Sequence, residues 1–72
     1  MKFKVFKGAF PNVVEEVVLE FEAFDLYQAL LRLEEEGYRL DPARLIRSVV
    51  IDGYEYVDFG DWLYFLSFKR EQ

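Results

Sequence analysis

The sequence predicts an α+β fold: one antiparallel sheet of four to five strands with a single helix packed on one face, in the order β-β-α-β-β-β. Three observations carry this. Apolar and polar residues alternate at the start of residues 2–10 and again through 13–24, the two-residue period of a half-buried strand. Between residues 25 and 36, Leu26, Ala29, Leu30 and Leu33 recur at i, i+3, i+4 and i+7, the apolar stripe of a helix. Asp52-Gly53 then separates two runs rich in Val, Ile and Tyr, a strong signal for a tight hairpin.

The elements follow in order. Residues 2–10 (KFKVFKGAF) read as a strand, and Pro11-Asn12 marks its turn. Proline cannot take the positive φ of a type I′ turn, so this loop is expected to hold roughly three to five residues. In the second strand, residues 13–24, Val17, Leu19, Phe21 and Ala23 share one face, with Val18, Glu20 and Glu22 on the other. Asp25 is placed to cap a helix over 25–36, and Gln28 completes a capping-box-like pattern. Gly37 stands where a left-handed residue ends a helix, which folds Tyr38 back toward Leu33. Tyr27, Leu31 and Tyr38 flank the stripe and read as core boundary. The Glu34–Glu36 run opposes the helix dipole, and nothing in the sequence accounts for it.

Asp41-Pro42 offers a cap for one further short turn. Residues 46–51 form a third strand, Asp52-Gly53 a type I′ turn and 54–59 the return. Gly60-Asp61 reads as a second tight turn into 62–69, and the charged residues 69–72 as a frayed tail. A two-residue turn at Asp52-Gly53 pairs Ile51 with Tyr54, Val49 with Tyr56 and Arg47 with Asp58, the last an ion pair. A two-residue turn at Gly60-Asp61 pairs Phe59 with Trp62, Val57 with Tyr64 and Tyr56 with Phe65.

That register sorts the side chains. One face carries Ile46, Val50, Val57, Phe59, Trp62, Tyr64, Leu66 and Phe68; the other carries Val49, Ile51, Tyr54, Tyr56, Leu63 and Phe65. Both are largely apolar, and a helix of about three turns covers only one. The second face is therefore expected to meet a partner, most simply a second copy in a two-fold homodimer. The alternatives are that the first hairpin folds over it or that a bulge shifts the register.

Bulk properties narrow the function. The 72 residues make a single domain, 1–72, of a size that buries only about 60% of the surface its unfolded chain exposes. Cysteine and histidine are absent, so neither a disulfide nor a Cys/His zinc site can brace it. Close packing or association remains, and 53% of the residues are apolar and 19% aromatic. The formal charge is −5, unlike a general duplex-DNA binder. Acids are segregated, and Glu15, Glu20, Glu22, Glu34, Glu35 and Glu36 make a candidate surface for a basic partner. The ordinary reading of such a surface is a solubilising one. The absence of an apolar leader run and of cysteine predicts a cytoplasmic protein with no membrane partner. Few Asn and Gln beside plentiful Glu, Leu, Arg and Val resemble a thermophile composition.

No catalytic constellation is present, so the chain is read as a non-enzyme. The commonest general base and the best nucleophile are missing, and neither Ser48 nor Ser67 lies in a Gly-x-Ser-x-Gly elbow. Asp52, Glu55, Asp58 and Asp61 recur every three residues but lack calcium-loop spacing, and they read as turn and edge charges. No cofactor or metal is expected. The first functional expectation is a small acidic protein-interaction module, of a size that suits an accessory or inhibitor protein of a phage or mobile element, binding a larger protein. The alternative is a single-stranded nucleic-acid binder. The strand aromatics Phe3, Phe6, Phe10, Tyr54, Tyr56, Trp62, Tyr64, Phe65 and Phe68 would form a platform to stack bases, flanked by Lys2, Lys4, Lys7, Lys69 and Arg70 if the first and last strands are neighbours.

Overall fold

The computed structural model describes residues 1–8, 10, 16–40, 47–61 and 63–70. They form β1 (Lys2–Lys7), β2 (Glu16–Glu22), α1 (Leu26–Glu35), β3 (Arg47–Ile51), β4 (Tyr54–Asp58) and β5 (Tyr64–Lys69). The five strands make one antiparallel sheet in the spatial order β2-β1-β5-β4-β3. The first and last strands are therefore neighbours, and β2 and β3 are the two edges. The Pro11-Asn12 turn, the Asp41-Pro42 cap, Ile46, Trp62 and the end of the tail lie outside the described residues.

The helix begins and ends as its flanking residues dictate. The Asp25 carboxylate accepts the Gln28 amide at 2.9 Å, satisfying a helix-end donor. The Gln28 side chain reaches back to the amide of Phe24 rather than that of the cap itself. At the other end Gly37 takes φ +94, Tyr38 N–H donates to the Leu33 carbonyl and Gly37 N–H to that of Glu34. Those two bonds define a Schellman motif. Glu36 pairs with Arg32 one turn back at 3.0 Å, so one acid of the terminal run is neutralised locally.

The helix stripe packs on one sheet face. Ala29 and Leu33 join Phe3, Val5, Phe21, Val57, Phe59, Leu66 and Phe68 in a buried cluster, with Leu26, Leu30, Tyr38 and Tyr64 packed against it. Phe3 sits at its centre, its ring 5.6 Å from Phe21 and 5.2 Å from Phe68. No β3 residue belongs to this cluster.

The β3–β4 register is the expected one, with Ile51 opposite Tyr54, Val49 opposite Tyr56 and Arg47 opposite Asp58. Asp52 and Gly53 both take positive φ, as a type I′ turn requires. The β4–β5 register differs from the tight-turn expectation. Val57 pairs with Leu66 and Tyr56 with Ser67, two residues further along β5. The connection is longer because its aspartates bind their own loop: Asp58 accepts Gly60 N–H, and Asp61 accepts Leu63 N–H. An even shift keeps the side chains of β4 and β5 on their expected faces.

One assignment changes faces. β1–β2 pairing jumps from Val5–Leu19 to Phe6–Val17, which leaves Val18 as the extra residue of a bulge. Val17 thus lies opposite Phe6, not in line with Leu19 and Phe21.

Candidate interaction surfaces

The sheet face away from α1 is less bare than expected. Phe65, at its centre, is 0% exposed. The Phe6 ring stacks on it at 5.2 Å, Phe10 meets it edge-on at 6.1 Å and Tyr56 lies 6.1 Å away. Phe10 follows β1 and folds over this face, so the chain covers Phe65 with its own aromatics, and that residue offers no surface to a partner. Arg47 extends the cover, its guanidinium 5.5 Å from the Phe10 ring centre. Of the other expected contact residues, Val49 and Tyr56 are half-buried, and Ile51, Tyr54 and Leu63 are exposed. Leu63 lies in the β4–β5 connection, before β5 begins.

The basic residues divide. Lys2, Lys4 and Lys69 surround a concavity of ≈ 300 Å³ with Tyr54, Ser67 and Phe68. It exists because β1 lies beside β5 and Lys4 stands opposite Ser67. Lys7 alternates to the α1 side with Val5 and Phe3, and Arg70 follows β5, its amide bound to the Gly53 carbonyl. Those two therefore do not join the other three. Glu20 and Glu22 stand opposite Lys4 and Lys2 on β2, and the Lys2–Glu20 pair is exposed at 3.7 Å.

The acids do not gather into one surface. Glu20 and Glu22 project from β2, whereas Glu34 and Glu35 lie on the solvent side of α1, with Glu36 at its cap. Glu15 lies outside the described residues. Among the described residues no group of three or more His, Cys, Asp or Glu is placed to hold a metal ion. No helix of the described residues is long and apolar enough to cross a membrane.

The sequence reading missed an outer apolar flank on the helix. Tyr27 and Leu31, expected at the core boundary, are 70% and 45% exposed, and Phe24 just before the cap is 80% exposed. A residue at the Phe24 position commonly staples onto the fourth helical residue, here the buried Ala29, and Phe24 does not. Tyr27 and Leu31 are one turn apart, and Glu34 and Glu35 continue the same flank at i+3 and i+4 from Leu31. The i, i+4 spacing of Tyr27 and Leu31 was the available signal.

The Tyr38 phenol is displaced from its ordinary protonation. Its ring meets Tyr64 edge-on at 4.9 Å and Phe59 at 6.2 Å. Burial raises its phenol above the ordinary 10.0, and Tyr64, Glu36 and Asp61 add to the effect. It packs against the core.

Searches of family models, of characterised proteins and of solved structures return no match to this chain.

Proposed function

We propose that the chain is a non-enzymatic interaction module that takes a basic, amphipathic segment of a larger protein on the outer flank of α1. The observation that carries this is the exposure of Phe24, Tyr27 and Leu31 together beside Glu34 and Glu35. A single exposed apolar side chain is ordinary, whereas adjoining aromatics left in water mark contact surfaces. Each such ring can bury about 150–250 Å². Arg32 is the sole base of α1, and it is engaged by Glu36. The flank therefore presents apolar surface with a negative rim, complementary to apolar surface with a positive one.

Fluorescence anisotropy with labelled amphipathic peptides tests the reading, using a lysine-rich series and the same peptides with glutamate in place of lysine. The basic series binds, weakens with salt, and loses about tenfold or more when Tyr27 and Leu31 are both changed to Ala. Equal binding of the acidic series, or binding untouched by the double variant, overturns it.

A second reading rests on the concavity between Lys2, Lys4 and Lys69. Three bases beside the exposed Tyr54 ring form a short stacking platform for single-stranded nucleic acid. Titration with a labelled oligonucleotide at low and moderate salt tests it. Salt-sensitive binding lost in the Lys2→Ala, Lys4→Ala, Lys69→Ala variant supports it, and no binding removes it.

A further inference from the structure

We infer that β3, an edge strand of the sheet formed by the described residues, pairs with β3 of a second copy, joining two sheets about a two-fold axis. The hairpin geometry says which backbone groups are available. A two-residue type I′ turn at Asp52-Gly53 makes Ile51 and Tyr54 a hydrogen-bonded pair. By alternation Val49 and Arg47 also direct their N–H and C=O groups at β4. Ser48 and Val50 direct theirs away from it, to the edge where the sheet ends.

The two edges of the sheet are built differently. On β2 the strand carries Glu16, Glu20 and Glu22 and is interrupted by the bulge at Val18. Charges and bulges are the usual defences against unwanted pairing. On β3 residues 48–51 read Ser-Val-Val-Ile, with no charge, proline or bulge among them. Val50 is 43% exposed and Ile51 36%. The strand's sole charge, Arg47, is held by Asp58 at 2.9 Å.

This edge is complementary to itself. With Val49 opposite Val49 of the second copy, Ser48 of each copy stands opposite Val50 of the other. Each such pair exchanges two hydrogen bonds, N–H to C=O in both directions. Val49 of the two copies then forms the close, non-hydrogen-bonded pair on the axis, with Cα atoms about 4.5 Å apart. Ile51 and Tyr54 of both copies extend that contact on the far face. Association thus comes through the strand edge, not through the face centred on Phe65, which the chain covers itself. A contact one short strand long gives weak affinity, in the micromolar range or above.

Sedimentation velocity on the full chain, across about three decades of concentration around that range, tests the inference. Dimer grows with concentration in the wild type. Val50→Pro removes an outward N–H without breaking a β4 bond, a placement edge strands tolerate. It and Val50→Lys remain monomeric throughout, with circular dichroism like the wild type. Amide exchange at Ser48 and Val50 slows about tenfold from the dilute to the concentrated sample, while Val49 is protected in both. A wild type that stays monomeric overturns the inference. So does a dimer that survives both variants, or exchange at Ser48 and Val50 that ignores concentration. Peptide binding by α1 is unchanged in Val50→Lys, so the two proposals fail separately.

Discussion

Arg47 and Asp58 face each other across β3 and β4, guanidinium to carboxylate at 2.9 Å, and the other Asp58 oxygen accepts Gly60 N–H at 2.9 Å. Asp58 is buried while Arg47 stays largely in solvent. One carboxylate thus ties the hairpin to the start of the next connection.

The two partners therefore differ in what their removal costs. Asp58→Ala takes away the acceptor of a buried backbone donor and the Arg47 pair, for about 2–3 kcal/mol. Arg47→Ala leaves Asp58 its Gly60 amide and removes a solvent-screened contact, for about 1 kcal/mol. Urea denaturation of both variants and of the double variant checks this. Equal losses would show that the pair, not the loop contact, sets the energy.

Gly37 permits a sharper test, because its requirement is purely one of backbone. Its φ is +94, and a Cβ added there meets nothing within 4 Å. Gly37→Ala costs about 1–2 kcal/mol through the left-handed conformation alone. A D-alanine at the same position, which adopts positive φ without strain, gains about 0.4–1 kcal/mol by narrowing the unfolded ensemble. Thermal denaturation of the two synthetic chains reads the opposite signs.

Much of this architecture was legible because it rests on local rules. Asp25, Gly37 and Asp52-Gly53 each act on their immediate neighbours, and each ends or turns its element where expected. The β4–β5 connection was not legible. Gly60-Asp61 can close a tight turn or a wider loop, and the choice depends on the Asp58 and Asp61 side chains capping Gly60 and Leu63. The covering of Phe65 was less legible still, since Phe6 and Phe10 reach it only through β1–β5 pairing, a contact of long sequence separation. Lys7 faces away from Lys2 and Lys4 for a simpler reason: it lies an odd number of residues from both on one strand.

Tyr38 adds a component to the loss of stability at alkaline pH. Its phenol titrates above its unfolded value because burial disfavours the anion. Below the unfolded pKa, near 10, both states hold the proton and the contribution is intact. As pH rises through that value the unfolded chain releases its proton first, and stability falls. Tyr38→Phe removes this component of the decline above pH about 10. Ultraviolet titration of the wild type shows a late tyrosine ionisation that the variant lacks.

Phe65 and Tyr27 separate folding from contact. Phe65 is 0% exposed and touches Phe6, Phe10 and Tyr56, whereas Tyr27 is 70% exposed on the helix flank. Phe65→Ala opens a cavity under three aromatic rings and costs about 3–5 kcal/mol, a large share of what a domain this small holds. Tyr27→Ala changes stability by less than about 0.5 kcal/mol, as surface substitutions do, while weakening capture of a basic peptide. Denaturation and anisotropy on both variants give the crossed result. A Phe65→Ala chain as stable as the wild type would mean that the far face does not depend on its own aromatics, and a destabilised Tyr27→Ala chain would return Tyr27 to the core.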